Sequence, residues 1–225
     1  MKPRTQRSQI LIVDDHPLIR EGMSAMLSRQ DNLAVCGEAS DADSALAQIA
    51  KLNPDLVILD MSLKSGTGLD VIKQLRSNKN GNADRTTAIL VHSMYEDSLY
   101  AERVLQAGAM GYVNKQESPE TVLSAIRRVL SGKVYLSPEL TQRLLDRSVG
   151  HQTQLYAEMS DRLTDRELEI FRLIGEAVPT GAIAERLFLS VHTIETHRQN
   201  IKKKLGIKNA SELNQRAVQW VLENG

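Results

Sequence analysis

Five polar residues of this chain each follow a short aliphatic run, and their types could do chemistry together. Asp14 and Asp15 follow ILIV, Asp60 follows LVIL, Ser93 follows AILV after His92, and Lys115 lies just past GYV. In an open parallel α/β sheet, ligands bind beyond the carboxyl ends of the strands. Three carboxylates gathered there repel one another unless a proton or a cation joins them. A hard divalent ion with oxygen ligands, most simply Mg2+, resolves that conflict. An ionised carboxylate beside such an ion is a competent nucleophile for a phosphoryl group. The Ser93 hydroxyl and the Lys115 ammonium could then bind the phosphoryl oxygens. Any one of the five is ordinary as a solvated strand-end residue; five at the ends of one set of strands point to a site.

The elements that must hold them are legible as a pattern. Candidate strands are Ile10–Val13, Leu33–Ala39, Leu56–Leu59, Ala88–Val91 and Gly111–Val113. Amphipathic stretches separate them, such as Leu18, Met23, Met26 and Leu27, then Ala45, Leu46, Ile49 and Leu52. Short continuous aliphatic strands alternating with helices indicate βαβ units and a parallel sheet covered on both faces. A helix over Pro119–Leu130 closes the series. The expected fold is a doubly wound five-stranded α/β domain over residues 1–132.

After Gly132 the pattern changes. Pro138 suits the first turn of a new helix, and the polar stretch to Ser160 reads as a linker, part helical, with Leu140, Leu144 and Leu145 on one face. The linker is expected at 133–160 and an all-α domain at 161–225. There, Thr164-Asp165-Arg166-Glu167 is a capping box, with Leu163 and Leu168 as its hydrophobic staple. A short helix with Ile183, Ala184 and Leu187 breaks at Phe188-Leu189. Ser190 then caps a helix that runs to Leu205 and stops at Gly206. Leu213, Ala217, Trp220 and Val221 mark a last helix. Their spacing fits core packing first, with a dimer surface as the second reading.

Helix, tight break and second helix form a helix-turn-helix. At about 100° per residue, Ile201 and Leu205 fall within about 20° of Ile194 and define a buried face. Glu195, Thr196, Gln199 and Lys203 lie away from it, with Lys202 and Lys204 flanking. From Glu195 to Lys208, five cations stand against one anion, a net of +4. A charged helix is usually only a solvated face. In this setting, exposed polar residues suit base edges and flanking cations suit phosphates. His197 borders the buried face and is read as packing.

Composition constrains the rest. The 225 residues carry 28 Lys plus Arg and 28 Asp plus Glu, which excludes a chain basic throughout, such as a histone-like coat on nucleic acid. Ten cations and nine anions fall in residues 160–225, so charge is separated on single faces and not between halves. The lone Cys36 excludes an intramolecular disulfide and any CxxC zinc cluster, and reads as a small buried hydrophobe. The basic start MKPRTQRSQ precedes only four apolar residues, too few for a signal peptide. No apolar run approaches the roughly 20 residues of a membrane span. A soluble protein of the reducing cytoplasm is expected.

VDDHPLIREG, LVILDMSLKSGTGLDV and LVHSMYEDSLYAERVLQAGAMGYVNK resemble the receiver domain of two-component response regulators across residues 8–130. LTDRELEIFRLIGEA and IAERLFLSVHTIETHRQNIKKKLGIKNASEL resemble the LuxR-type helix-turn-helix. The pair is similar to the NarL/FixJ class. That resemblance implies a CheY-like, flavodoxin-like receiver whose phosphoacceptor is Asp60, supplied by a sensor histidine kinase. It implies Mg2+ held by Asp15, Asp60 and the main-chain carbonyl of Ser62, with Asp14 acting through water. Ser93 and Lys115 would contact the phosphoryl group, and Tyr112 matches the aromatic switch position, turning inward as Ser93 moves. For the second domain it implies base contacts from Glu195, Thr196 and Gln199, phosphate contacts from Arg198 and Lys202, and dimerisation through the last helix, here Leu213, Ala217 and Trp220. Double-stranded DNA with inverted half-sites, a homodimer when phosphorylated, and RNA polymerase are the implied partners. No enzyme activity is implied beyond phosphorylation and dephosphorylation of Asp60 itself.

Departures are local. NKNGNADRT before the fourth strand is long, and Lys64 stands where many relatives have Pro. AVPTGAIA replaces a Gly-led turn, and Gly181 stands where relatives commonly carry Lys, removing one phosphate contact. Two other classes would share some residues. An aspartate-nucleophile phosphatase would use Asp60 and Mg2+, but Ser62 occupies the place of its second Asp. A receiver without phosphate control could serve as an interaction module or a constitutive DNA binder, which the complete set of five residues disfavours.

Overall fold

A computed structural model describes residues 7–77, 87–94, 98–149 and 162–224. Its contacts divide the chain into two compact units, Met1–Glu96 with Tyr100–Thr141, and Asp97–Leu99 with Gln142–Gly225. Along the chain to Leu130 run β1 (Ser8–Val13), α1 (Pro17–Ser28), β2 (Leu33–Ala39), α2 (Ala42–Leu52), β3 (Leu56–Leu59), α3 (Gly68–Ser77), β4 (Ala88–Ser93), α4 (Ser98–Gln106), β5 (Gly111–Asn114) and α5 (Pro119–Leu130). The five strands form one parallel sheet in the order β2-β1-β3-β4-β5. That order reverses direction of travel after β2, which puts the ends of β1 and β3 side by side at the switch point. The aliphatic runs are buried because helices cover both faces. On one face Ile10, Ile12, Leu56, Ile58 and Leu90 pack with Leu27 of α1 and Ile126 of α5.

The last strands extend past their aliphatic cores. β4 runs through His92 to Ser93 and β5 through Asn114, so Ser93 lies within the ladder and not just beyond it. Cys36 sits half-buried on the edge strand β2, where burial pushes its thiol up.

The expected linker begins inside the first unit. Tyr135 forms a parallel bridge with Gly111, its N–H donating to Met110 O at 3.0 Å and its carbonyl accepting from Tyr112 N at 3.0 Å. Arg128 Nε donates to the Val134 carbonyl at 2.8 Å. An exposed edge of β5 has backbone groups to satisfy, and residues just after Gly132 satisfy them. Hence 133–137 belong with the sheet. Helix α6 (Pro138–Ser148) follows as expected; Leu140 is buried while Leu145 is exposed. Residues 150–160 of the expected linker, and NKNGNADRT, lie outside the described residues.

The second unit contains α7 (Asp165–Gly175), α8 (Thr180–Arg186), α9 (Val191–Leu205) and α10 (Ala210–Asn224). Local chemistry sets their ends. Thr164 and Glu167 form the reciprocal capping box, Ser190 caps α9 by accepting from Thr193 N, and Gly206 takes a φ of 66°. Ala177, at the head of the departing AVPTGAIA stretch, adopts a left-handed φ of 59° where glycine would be unstrained. Gly175 is required by packing: a Cβ there would lie 2.3 Å from the Ala217 carbonyl oxygen of α10.

The same packing corrects one sequence expectation. Leu213, Ala217 and Trp220 are 0 %, 0 % and 1 % exposed, turned into the domain and not toward a partner. Trp220 meets Phe171 edge to face at a centroid distance of 6.2 Å. These three are part of the core of this unit, with Leu168, Phe171, Ile183, Ile194 and Ile201 among its other buried residues. The apolar residues α10 does expose are Val218 and Leu222. Trp220→Ala should therefore destabilise the isolated protein by about 3–5 kcal/mol, read as a lowered thermal midpoint for the second unit. A residue serving only a partner surface would leave that midpoint unchanged at low concentration.

Candidate functional site

The carboxyl ends of β1, β3 and β5 bring three of the predicted side chains into contact. Asp14 closes β1, its N–H donating to Ala39 O, and Asp60 closes β3, its N–H donating to Val13 O at 2.8 Å. Lys115 follows β5, with its N–H donating to Ser93 O at 2.8 Å, and Asn114 Oδ1 accepts from Gln116 N to turn the chain there. The Lys115 Nζ then sits 2.7 Å from Asp14 Oδ2 and 2.7 Å from Asp60 Oδ2. Asp14, Asp15, Asp60, Ser93 and Tyr112 are all buried. The loop after Asp60 is pinned by a bridge between Ser62 and Thr67 and by Gly68 N donating to Met61 O. Gly68 has no substitute in this loop, since a Cβ would lie 2.3 Å from the Asp60 carbonyl oxygen.

Anions outnumber cations in this pocket, and the titration behaviour follows. Burial pushes the Asp60 carboxyl up to about 7; Lys115 opposes that rise and Asp14 adds to it. Burial would lower the Lys115 ammonium, but Asp60 and Asp14 outweigh it and hold the group above its ordinary value. Both shifts point the same way: two carboxylates share one ammonium with a third alongside, and in a buried site with too little positive charge Asp60 and Lys115 hold on to their protons.

Asp15 Oδ1 is buried and receives no directed hydrogen bond. His16 Nδ1 stands 2.6 Å from it, and 3.5 Å from Asp14 Oδ1, in a geometry that does not direct a proton at the oxygen. Potential ligand atoms of Asp14, Asp15, His16 and Asp60 all lie within 4.8 Å of one another. A buried carboxylate oxygen without a donor is what a hard divalent ion would satisfy, so the residues present fit Mg2+. His16 joins the group beyond the five strand-end residues, its place next to Asp15 being the sequence signal. His92 is a further buried neighbour. It is buried on β4, and burial first, then Lys115, against Asp14, lowers its imidazole to about 4, so it stays neutral.

Tyr112 departs from expectation in one respect. It is 3 % exposed, so an inward turn from an exposed position is not available to it here. Ser93 is fully buried on the neighbouring strand.

In the second unit, α9 presents the expected faces. Ile194, Ile201 and Leu205 are buried, while Glu195, Thr196, Gln199 and Lys203 are exposed and Lys202 is half-exposed. Arg198 is more covered than expected, with 14 % of its side chain exposed and its Nε 3.6 Å from Glu195 Oε1. Its position about 40° from Ile194 around the helix accounts for this. Lys204 is no flanking cation: its Nζ lies 2.6 Å from Glu167 Oε2. His197 packs at the border of the core, its Nδ1 buried without a partner.

These two units match known families. Residues 10–127 match the response regulator receiver domain, and residues 161–217 match the bacterial regulatory proteins of the luxR family. The chain belongs to the response regulators that join a receiver to a LuxR-type helix-turn-helix domain. It is similar to the oxygen regulatory protein NreC of Staphylococcus aureus (strain MRSA252), 36 % identical over 209 residues that cover 91 % of this chain and 94 % of the relative. Among solved structures it is similar to RcsB of Salmonella enterica serovar Typhimurium bound to a promoter in the presence of the phosphomimetic BeF3−. That match has a TM-score of 0.62 at 25 % identity, over 95 % of this chain and all of the other. A structure of two RcsB dimers bound to two parallel DNAs matches with a TM-score of 0.56 at 26 % identity, over 95 % of this chain and 98 % of that one. Among the described residues, no helix is long and apolar enough to cross a membrane.

Pocket electrostatics set a pH dependence in the absence of a divalent ion. Asp60 titrates near 7 folded and near 3.8 unfolded, so the folded state binds its proton more tightly and loses stability as pH rises through that window. His92 acts oppositely, near 4 folded against 6.5 unfolded, gaining stability as pH rises. The two offset each other in the wild type, so the informative quantity is a difference. In chelator at about pH 8, Asp60→Asn should melt higher than wild type, with the gap closing toward about pH 4. Mg2+ added to wild type should close it at the higher pH. A pH-independent gap would contradict this account of the pocket.

Proposed function

We propose that this protein is a DNA-binding transcription regulator switched by phosphorylation of Asp60. The carrying observation is Lys115 Nζ at 2.7 Å from both Asp14 and Asp60, beside the undonated Asp15 Oδ1. A sensor histidine kinase supplies the phosphoryl group. The Asp60 carboxylate oxygen attacks phosphorus of the kinase phosphohistidine, the P–O bond forms as the P–N bond breaks, and the imidazole nitrogen takes a proton. Mg2+ would be held by Asp15, Asp60 and the Ser62 carbonyl, with Asp14 acting through water, and would supply positive charge that keeps Asp60 ionised and offsets charge on the transferring oxygens. Lys115 leaves the Asp60 oxygen to contact the phosphoryl group, and Ser93 donates its hydroxyl to a second oxygen.

A phosphoryl group adds about −1.5 to −2 charges to this pocket. The face built by α4, β5 and α5 changes with it, and Tyr112 belongs to that face. The Tyr135 backbone, bonded to Tyr112 N and Met110 O, couples the start of the linker to β5.

On DNA, Glu195, Thr196 and Gln199 read base edges while Lys202 and Lys203 contact phosphates, with Arg198 a lesser contributor. Phosphorylation favours a homodimer on inverted half-sites, and RNA polymerase is the partner downstream. The dimer surface on α10 uses Val218 and Leu222. The dimeric state of RcsB on DNA supports a second copy of this chain as their occupant. The protein acts in the cytoplasm. To test this reading, wild type treated with acetyl phosphate and Mg2+ is used to select duplexes from a random pool. The selected sequences should carry two inverted half-sites, and Leu222→Asp should sediment as a monomer under the same treatment. Selected single half-sites, or a Leu222→Asp dimer, would count against it.

A further inference from the structure

Lys204 belongs by sequence to the basic run of α9, yet its ammonium is paired with a buried carboxylate, on a side chain 36 % exposed. Glu167, the third residue of α7, is buried. Its Oε2 accepts from Thr164 N at 2.8 Å, Thr164 Oγ1 at 2.9 Å and Lys204 Nζ at 2.6 Å. The Lys204 carbonyl in turn accepts from Arg162 Nη1 at 3.2 Å. One residue along, Arg166 donates through Nη2 to the Leu187 carbonyl at 2.6 Å, in the break between α8 and α9, and through Nη1 to buried Glu169 at 2.6 Å. The entry turn of α7 therefore holds both the chain entering α9 and the last turn of α9. His197 lies in the same neighbourhood. Burial lowers its imidazole, Glu167 opposes, and Arg166 and Lys204 add to the lowering, so it stays a neutral packing group.

Apolar contacts from Ile194, Ile201 and Leu205 bury α9 but are non-directional. They tolerate small rotations and slides of a helix. A buried, hydrogen-bonded ion pair contributes little net stability but can fix register. We propose that Glu167 and Lys204 are positioning residues for base readout. Their bridge sets the rotation and axial register of α9 on α7, and so the aim of Glu195, Thr196 and Gln199, while Lys204 contributes nothing to phosphate binding. This rests on the DNA-reading proposal above.

The test uses the full chain with acetyl phosphate and Mg2+. Its two probes are a duplex selected by wild type from the random pool and a duplex of the same composition with scrambled half-sites. Affinities are measured across a salt series for wild type, Lys204→Met, Glu167→Gln and Lys203→Met. Lys204→Met and Glu167→Gln should bind the scrambled duplex as wild type does, with an unchanged salt slope, and lose about tenfold in preference for the selected duplex. Lys203→Met should weaken both duplexes alike and reduce the salt slope by about one. Gln at 167 keeps both Thr164 contacts, so that variant carries the test if Lys204→Met fails to fold. The proposal is overturned if Lys204→Met behaves like Lys203→Met, or if Glu167→Gln keeps full preference. If wild type selects no duplex at all, the DNA-reading proposal falls with it; if wild type selects and the variants discriminate equally, only the positioning role falls.

Discussion

One ammonium shared by two buried carboxylates, with a third carboxylate alongside, is the constraint on which the receiver half depends. Bringing three anions to one sheet edge costs several kcal/mol per unpaired charge in a poorly hydrated site. Lys115 offsets part of that cost by reaching Asp14 and Asp60 together. What it leaves uncompensated is the source of function: a deficit of positive charge that an ion and a phosphoryl group can rearrange. Once a second cation enters and one carboxylate becomes an acyl phosphate, Lys115 cannot keep both of its partners. In the proposed switch, β4, β5 and the Tyr135 segment would carry that local choice outward, because they are hydrogen-bonded neighbours.

The helix-turn-helix half has its own ion pair, half-buried Lys204 on buried Glu167, but there the charges balance. The contrast is instructive. An unbalanced pocket suits a change of state, while a balanced pair suits a fixed joint. On the two proposals above the chain would separate switching from aiming, each task using a lysine on a buried carboxylate.

Much of this was legible in the chain. Strands with apolar residues throughout announced a sheet covered on both faces, and polar residues just past them announced the edge where a site forms. Caps were equally plain: Thr164 with Glu167, Ser190 and Gly206 act through backbone groups within a few residues. Long-range pairing was not legible. Lys204 sits in a run of lysines that all look alike in sequence, and only the position of α7 shows which one meets a carboxylate. Leu213, Ala217 and Trp220 share a stripe with Val221, and helical period alone does not say whether a stripe faces its own domain or a partner. The Tyr135 bridge was missed because a single residue pairing with β5 leaves no periodic signal.

The central claim is that chemistry at Asp60 governs what α9 does on DNA. Its most direct test is the affinity of wild type and Asp60→Asn for one selected duplex, with and without acetyl phosphate and Mg2+. Phosphodonor should tighten wild-type binding, a chelator should abolish that gain, and Asp60→Asn should bind identically in every condition. An Asp60→Asn protein that responds to phosphodonor as wild type does, or a wild type that does not respond, would contradict the account.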